Sequence, residues 1–266
     1  MHRSVSTNKV LWLLAAAVAL IAALVGVFDP NIYGRVIRSD LMPAVFGQDL
    51  MTIAASLIIL LLIFQTREED PKEQIVILGL IGYLFYAYGI YVIERVYNML
   101  YYLYLTIFGL SFWSAAYGVT TISPQVLRKA RLPGLMRNIS AGFSLLVAFV
   151  FNVLWIIQLL SLIKTGEKIE FLYSVYVLDL CFIMPAFVII GVMVARNKGF
   201  GLLLTPAMFV LGFTLIFSLA VSETVKPLYD LTIDVGGLVS SVVLSMLFLL
   251  LAVLHLRKLK LQSEEK

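Results

Sequence analysis

Eight apolar stretches, joined by short polar links, leave this chain few folds to adopt. They run about 10–28, 50–66, 74–93, 98–120, 138–163, 174–195, 200–222 and 236–256. A helix that crosses a bilayer needs roughly 20 mostly apolar residues. Without water in the hydrocarbon core, a lone segment satisfies its backbone polar groups only by coiling into a helix. The reading is an all-α, polytopic integral membrane protein with eight transmembrane helices. In 266 residues they leave no room for a soluble domain. The composition agrees: 14% of residues are charged and the mean hydropathy is +0.99, against about 25% charged in soluble domains. His2 and Arg3 before the first run suggest a signal peptide, but its apolar length of about 19 residues exceeds the usual 7–15. It is read as an uncleaved first span.

The polar residues that punctuate the runs repeat. Asp49-Leu50 opens a run that breaks at Arg67, and the next run ends at Glu94. Asp179-Leu180 opens a run that breaks at Arg196, and the next ends at Glu223. The acid-to-acid spacings are 45 and 44 residues, and the basic foot of the preceding helix, Lys9 or Arg137, lies 40 or 42 residues before the first acid. This layout points to a tandem duplication of a four-helix unit. An even number of crossings separates the copies, so the repeat is parallel, related by an axis along the membrane normal. The expected division is 1–125 for the first repeat, 126–136 for a basic cytoplasmic connector and 137–266 for the second repeat.

Sidedness follows from Lys and Arg in the links. Fourteen lie on one side: Arg3, Lys9, Arg67, Lys72, Arg128, Lys129, Arg131, Arg137, Arg196, Lys198, Arg257, Lys258, Lys260 and Lys266. Six lie on the other: Arg35, Arg38, Arg95, Lys164, Lys168 and Lys226. Both termini are therefore expected in the cytoplasm, as is the connector, which would sit against anionic headgroups. The cytoplasmic acids are then only Glu68, Glu69, Asp70, Glu73, Glu264 and Glu265, and the others, Glu170 among them, face outward.

Asp49, Glu94, Asp179 and Glu223 admit two roles. They form a paired acidic mouth that attracts a cation or polar head, or Asp49 and Asp179 cap inward-running helices while the glutamates are interfacial charges. At 1.5 Å per residue, both aspartates would lie near the outer rim of the bilayer. Eight of the 13 tyrosines fall between residues 83 and 104. Tyr97, Tyr101, Tyr104, Phe108 and Ser111 share a helical spacing, with Asn98 beginning the neighbouring face. An interfacial aromatic belt accounts for those near the boundary, whereas Tyr83 and Tyr104 lie deeper and need hydrogen-bond partners. Tyr86, Tyr91 and Tyr101, with Asn98 and the four acids, are the candidate binding residues, suited to a cation through ring faces or a headgroup through hydroxyls.

Elsewhere Asn152 and Gln158 read as interhelical hydrogen-bonding groups, Pro185 and Pro206 as kinks, and Ala15, Ala19, Ala22, Ala23 and Gly26 as a close-packing stripe. His2 and His255 are the only histidines and Cys181 the only cysteine. That excludes an internal disulfide and a bis-histidine haem, and no lysine lies deep in a span to carry a retinal Schiff base. Walker A, G-x-S-x-G, H-E-x-x-H and dinucleotide motifs are absent, so no catalytic residue, metal site or cofactor is assigned. The Asn138-Ile139-Ser140 sequon falls on the cytoplasmic side.

Gln48-Asp49-Leu50 at the start of a span, the Tyr-rich third span followed by Asn98, and Asp179 with Pro185 resemble an uncharacterised family of multi-pass prokaryotic membrane proteins with no established activity. The resemblance implies a location, the prokaryotic cell (inner) membrane, and no mechanism. The function expected is a carrier or channel for a small polar or cationic solute, with an outward acidic, Tyr-lined vestibule. The alternative is a non-catalytic scaffold, accessory subunit or lipid-binding protein. Expected partners are membrane lipids, a small-molecule or cation substrate and a membrane protein, but no nucleic acid.

Overall fold

The structure, a computed structural model, describes residues 2–66, 71–169 and 172–261, with side chains from Thr7 onward. Arg67, Glu68, Glu69, Asp70, Glu170, Glu264, Glu265, Lys266 and the side chains of His2 and Arg3 lie outside the described residues. Among those described, eight helical segments are long and apolar enough to cross a membrane. The protein is an all-helical, multi-pass membrane protein.

The first four spans are α1 (His2–Phe28), α2 (Met42–Gln65), α3 (Lys72–Ile93) and α4 (Tyr101–Thr120). The link contains a short helix, α5 (Pro124–Lys129), and a two-residue strand, β1 (Ala130–Arg131). The fifth span is α6 (Gly134–Thr165). The sixth comprises α7 (Tyr173–Leu178), a π-helical segment Asp179–Ile183, and α8 (Met184–Ala195). Spans seven and eight are α9 (Gly199–Val225) and α10 (Val235–Lys258), followed by β2 (Lys260–Leu261).

Both ends of the described chain lie on one face of the bundle. Asn8 Nδ2 donates to Thr121 Oγ1 at 2.6 Å and Lys9 Nζ to the Thr66 carbonyl at 3.2 Å. On the same face β1 and β2 pair antiparallel, Ala130 with Leu261. Eight crossings require that arrangement. We refer to this as the terminal face and to the opposite one as the distal face.

In the first half α1 packs on α2 and α4, and α3 packs on α2 and α4. In the second half α6 packs on α8, α8 on α9, and α9 on α10. The halves meet where α9 lies against α3 and α2, and where α7 touches α3. Accordingly α3 and α9 are the most enclosed spans, with 78% and 61% of their apolar cores buried, against 11% for α6 and 22% for α10. The last two present their apolar surfaces outward. Small residues set the close approaches, because packing between helices in lipid gains little from the hydrophobic effect and relies on contact between backbones. The alanine stripe of α1 is buried, Ala15, Ala19 and Ala23 completely. At Gly79 a Cβ would stand 2.6 Å from the Ala207 carbonyl oxygen, so only glycine lets α3 approach α9 there.

Three local departures from the sequence reading have physical causes. Asp49 does not cap α2: the helix begins at Met42, with Pro43 in its first turn, after a 3₁₀ turn at Ser39–Leu41. Seven residues of helix precede Asp49, which places it about 10 Å along α2 rather than at its start. Asp179 does not cap a helix either, because α7 precedes it. The π widening is marked by the Met184 N–H donating to the Asp179 carbonyl. Pro185, just beyond, has no N–H to continue a regular ladder. Asn152 donates to Ala148 O of its own helix at 2.7 Å rather than across helices. Gln158 does bridge, accepting from Tyr176 Oη at 2.8 Å. Pro206 sits within a continuous α9.

Candidate functional site

The four acids separate into two pairs. Asp49 is 1% exposed and accepts a hydrogen bond from Tyr33 Oη at 2.9 Å. Gly26 on α1 clears space for this contact, since a Cβ there would collide with the Asp49 carboxylate and stand 2.5 Å from the Tyr33 hydroxyl. The phenol is held as a donor: burial, reinforced by Tyr91 and by the Asp49 carboxylate, pushes its pKa far above the ordinary tyrosine value. The surrounding rings are tyrosines. Tyr91 lies 6.1 Å from Tyr33, 5.7 Å from Tyr88 and 4.9 Å from Tyr104, centroid to centroid. Asn98 closes the cluster, donating to Tyr104 Oη at 3.0 Å while its side-chain oxygen accepts from the Leu100 N–H at the start of α4.

Further hydroxyls lock α3 to its neighbours. Tyr83 donates to Gln48 O at 2.9 Å and Tyr88 to Ala19 O at 3.2 Å. Tyr83, Tyr86, Tyr88, Tyr91 and Tyr104 are therefore interior residues, not an aromatic belt. Tyr97 and Tyr102, at 62% and 82% exposed, are the belt-like ones, and Tyr101 is half-buried. The buried face of α4 runs Tyr104, Ile107, Ser111, Ser114, Gly118, so Phe108 flanks it rather than belonging to it.

Glu94 and Glu223 take the backbone-capping role expected of the aspartates. Glu94 Oε1 accepts from the Ser174 N–H at 2.8 Å in the first turn of α7, a contact between the halves. Tyr173 reinforces it by donating to the Ile93 carbonyl. Glu223 accepts from the Asp234 N–H at 3.0 Å before α10 and pairs with Lys226 at 2.7 Å. A carboxylate at a helix start meets unpaired N–H groups and the positive end of the dipole.

Asp179 is the second buried carboxylate, 5% exposed, and accepts from Trp155 Nε1 at 2.6 Å. It faces a cavity of about 370 Å³ between the two halves. Leu41 just before α2, with Ala44, Val45 and Gln48 of α2, lines one side, and Tyr83, Tyr86, Ile90 and Tyr91 of α3, with Glu94 at its C-terminal end, line the next. Val147, Phe151 and Trp155 of α6 come from the second half, with Val175, Asp179, Ile183 and Phe187 of the sixth span and Leu211, Leu215 and Leu219 of α9. Along α3 the lining extends from Glu94 to Tyr83, about 16 Å of helix. Phe187, Phe248 and Gly212 line its deep part. Apolar side chains form nearly all of the wall.

Of the residues singled out in the sequence, Glu94, Asp179, Tyr86 and Tyr91 line this cavity. Asp49, Asn98, Tyr101 and Glu223 do not, so the four acids share no single mouth. Tyr91 touches both places, contributing to the wall and to the ring cluster around Asp49. Trp155, Tyr33 and Gly26 were not picked out as partners of the acids. The available signal was chemical: a carboxylate inside a span needs donors, and Trp and Tyr are the donors that otherwise suit an apolar interior.

Among the described residues no cluster of three or more His, Cys, Asp or Glu could hold a metal ion. Comparison with known protein families, characterised proteins and solved structures finds no match to this chain.

Proposed function

We propose that this membrane protein binds an amphiphilic, lipid-like molecule in the cavity between its halves, tail against the apolar walls and head toward Asp179 and Glu94. The carrying observation is the lining: an interhelical space of about 370 Å³, apolar over most of its wall, with its two carboxylates at or near one end. That volume falls within the roughly 300–1,000 Å³ of small-molecule sites, where a few polar groups in an apolar wall fix orientation. A small polar solute would find too few partners along such a wall. A continuous polar path to the terminal face is also disfavoured by the seam toward that face, where Gly79 and Gly82 of α3 meet Ala207, Val210 and Leu211 of α9.

The parallel 4+4 repeat is part of this proposal. Three features support it: the matched acid spacing, the like order of packing within each half, and the contacts between halves. Span three meets span seven, while spans two and seven, and three and six, form a reciprocal pair. A two-fold axis near α3 and α9 would put the cavity beside it, as in transporters built from repeats. The bias of basic residues supports a cytoplasmic terminal face, with the head of the ligand then toward the outside of the cell membrane.

Native mass spectrometry of protein released from mild detergent tests the binding. We expect a retained lipid-sized adduct, lost when Ala44→Phe or Val147→Trp fills the cavity. An adduct equally retained by both variants, with folding intact, refutes the cavity as its site.

A further inference from the structure

We infer that the head of the bound amphiphile is an organic cation, an ammonium group seated on Asp179 between the rings of Tyr86 and Trp155. The inference rests on the amphiphile reading and deepens it by fixing the sign and kind of the head.

Three observations converge. The first is charge: Asp179 and Glu94 both line the cavity, and among the described residues no Lys, Arg or His does. A carboxylate within a span is costly without a partner of opposite sign or water, and the partners of Asp179 are both neutral, the Trp155 indole N–H at 2.6 Å and the Tyr86 hydroxyl. The second is an unfilled acceptor. Glu94 uses Oε1 on the Ser174 N–H, while Oε2 is buried and has no hydrogen-bond partner among the described residues. The third is aromatic: Trp155 and Tyr86 flank Asp179 in the lining, and ring faces attract a desolvated cation, Trp most strongly.

A metal ion fits this place poorly. Mg²⁺ and Ca²⁺ ask for six or more oxygen ligands, whereas around Asp179 the wall adds the Tyr86 hydroxyl and the Glu94 carboxylate to Val175, Ile183, Phe151 and Trp155, which carry no side-chain oxygen. An alkylated ammonium needs no such shell, and its tail suits the same wall. Glu94 lies nearer the distal face, about one and a half turns of α7 beyond Asp179. It would meet the cation on arrival or share it with Asp179.

The test uses the purified full-length protein in a nonionic detergent, with Trp155 as the reporter. Dodecyltrimethylammonium, dodecanol and dodecyl sulfate are titrated at sub-micellar concentration while tryptophan emission is followed, and Trp155→Phe defines the signal from Trp12 and Trp113. The ammonium probe is expected to bind about tenfold or more tightly than the alcohol, the scale of a desolvated cation–π and charge contact, and the sulfate more weakly than the alcohol. Asp179→Asn should abolish the preference, Glu94→Gln should reduce it, and Asp179→Glu should retain most of it. The size-exclusion profile and dodecanol binding of each variant establish that it is folded. Equal affinity for the three heads, or preference for the sulfate, overturns the cation inference and leaves the amphiphile reading standing. A preference that survives Asp179→Asn in folded protein removes Asp179 from the site. Failure of all three probes to bind overturns both the inference and the reading beneath it.

Discussion

Replacing Gly26 by alanine adds one methyl group, and its cost follows from the Asp49–Tyr33 contact. The new Cβ would overlap the Asp49 carboxylate and stand 2.5 Å from the Tyr33 hydroxyl and 3.0 Å from Asp49 Cγ. The 2.9 Å hydrogen bond between them cannot survive unchanged. Both groups are about 1% exposed, so neither can turn to water in place. Stranding a buried polar group costs about 1–3 kcal/mol, more if it is charged, and overpacking adds about 1–3 kcal/mol. Against these, Gly→Ala inside a helix returns about 0.5–1 kcal/mol. The net loss is about 2–4 kcal/mol, or roughly 4–16 °C in melting temperature for a chain of this size. Thermal loss of monodispersity in detergent provides the assay. The decisive comparison adds Asp49→Ala, which removes the obstacle. Gly26→Ala should then be neutral or slightly stabilising, giving a coupling of about 2 kcal/mol or more. Independent sites add within about 0.3–0.5 kcal/mol, and additivity at that level would refute the proposed contact.

Tyr33→Phe should cost about 1–3 kcal/mol by withdrawing the donor to Asp49, while Tyr97→Phe at the surface should stay within about 0.5 kcal/mol; melting curves of the two side by side decide it. His255 joins three helices, bonding Ser140 Oγ at 2.9 Å and the Leu202 carbonyl at 2.8 Å from complete burial. His255→Ala should therefore destabilise by about 2–4 kcal/mol, and an unchanged midpoint in the same assay would contradict that bridging role. Reporter fusions at residues 131, 197 and 262 should read cytoplasm, and fusions at 40, 168 and 228 should read outside; the reverse pattern would invert the membrane orientation.

The spans were legible because hydropathy over twenty residues reports a requirement of the bilayer rather than of any neighbouring helix. Helix starts were less so. Asp49 and Asp179 lower the local hydropathy, which invites a boundary there, yet α2 begins at Met42 and α7 precedes Asp179. A carboxylate can lie inside a span when another segment delivers a donor, and Tyr33 and Trp155 do so from 16 and 24 residues away in sequence. Periodicity within one helix carries no trace of that. The tyrosine stripe failed for a different reason: Tyr97 precedes the first helical residue of α4, Tyr101, so extending a 3.6-residue phase back to it assumes a helix that has not begun. The buried face consequently falls on Ile107, Ser114 and Gly118 as well as Tyr104 and Ser111. At the candidate site, Glu94, Asp179, Tyr86 and Tyr91 were legible as polar residues in costly positions. Which of them share a cavity depended on how the halves dock, and that docking is set by close contacts such as Gly79 against Ala207.

An experimental density map of the protein in a lipid nanodisc tests the central claim most directly. The account predicts an elongated density between α2, α3, α6, α8 and α9, its apolar length against Leu215, Ile183 and Phe187 and its broader end within hydrogen-bonding reach of Asp179. A cavity closed by inward rotation of Phe151 and Trp155, with lipid density confined to the outer surfaces of α6 and α10, would contradict it.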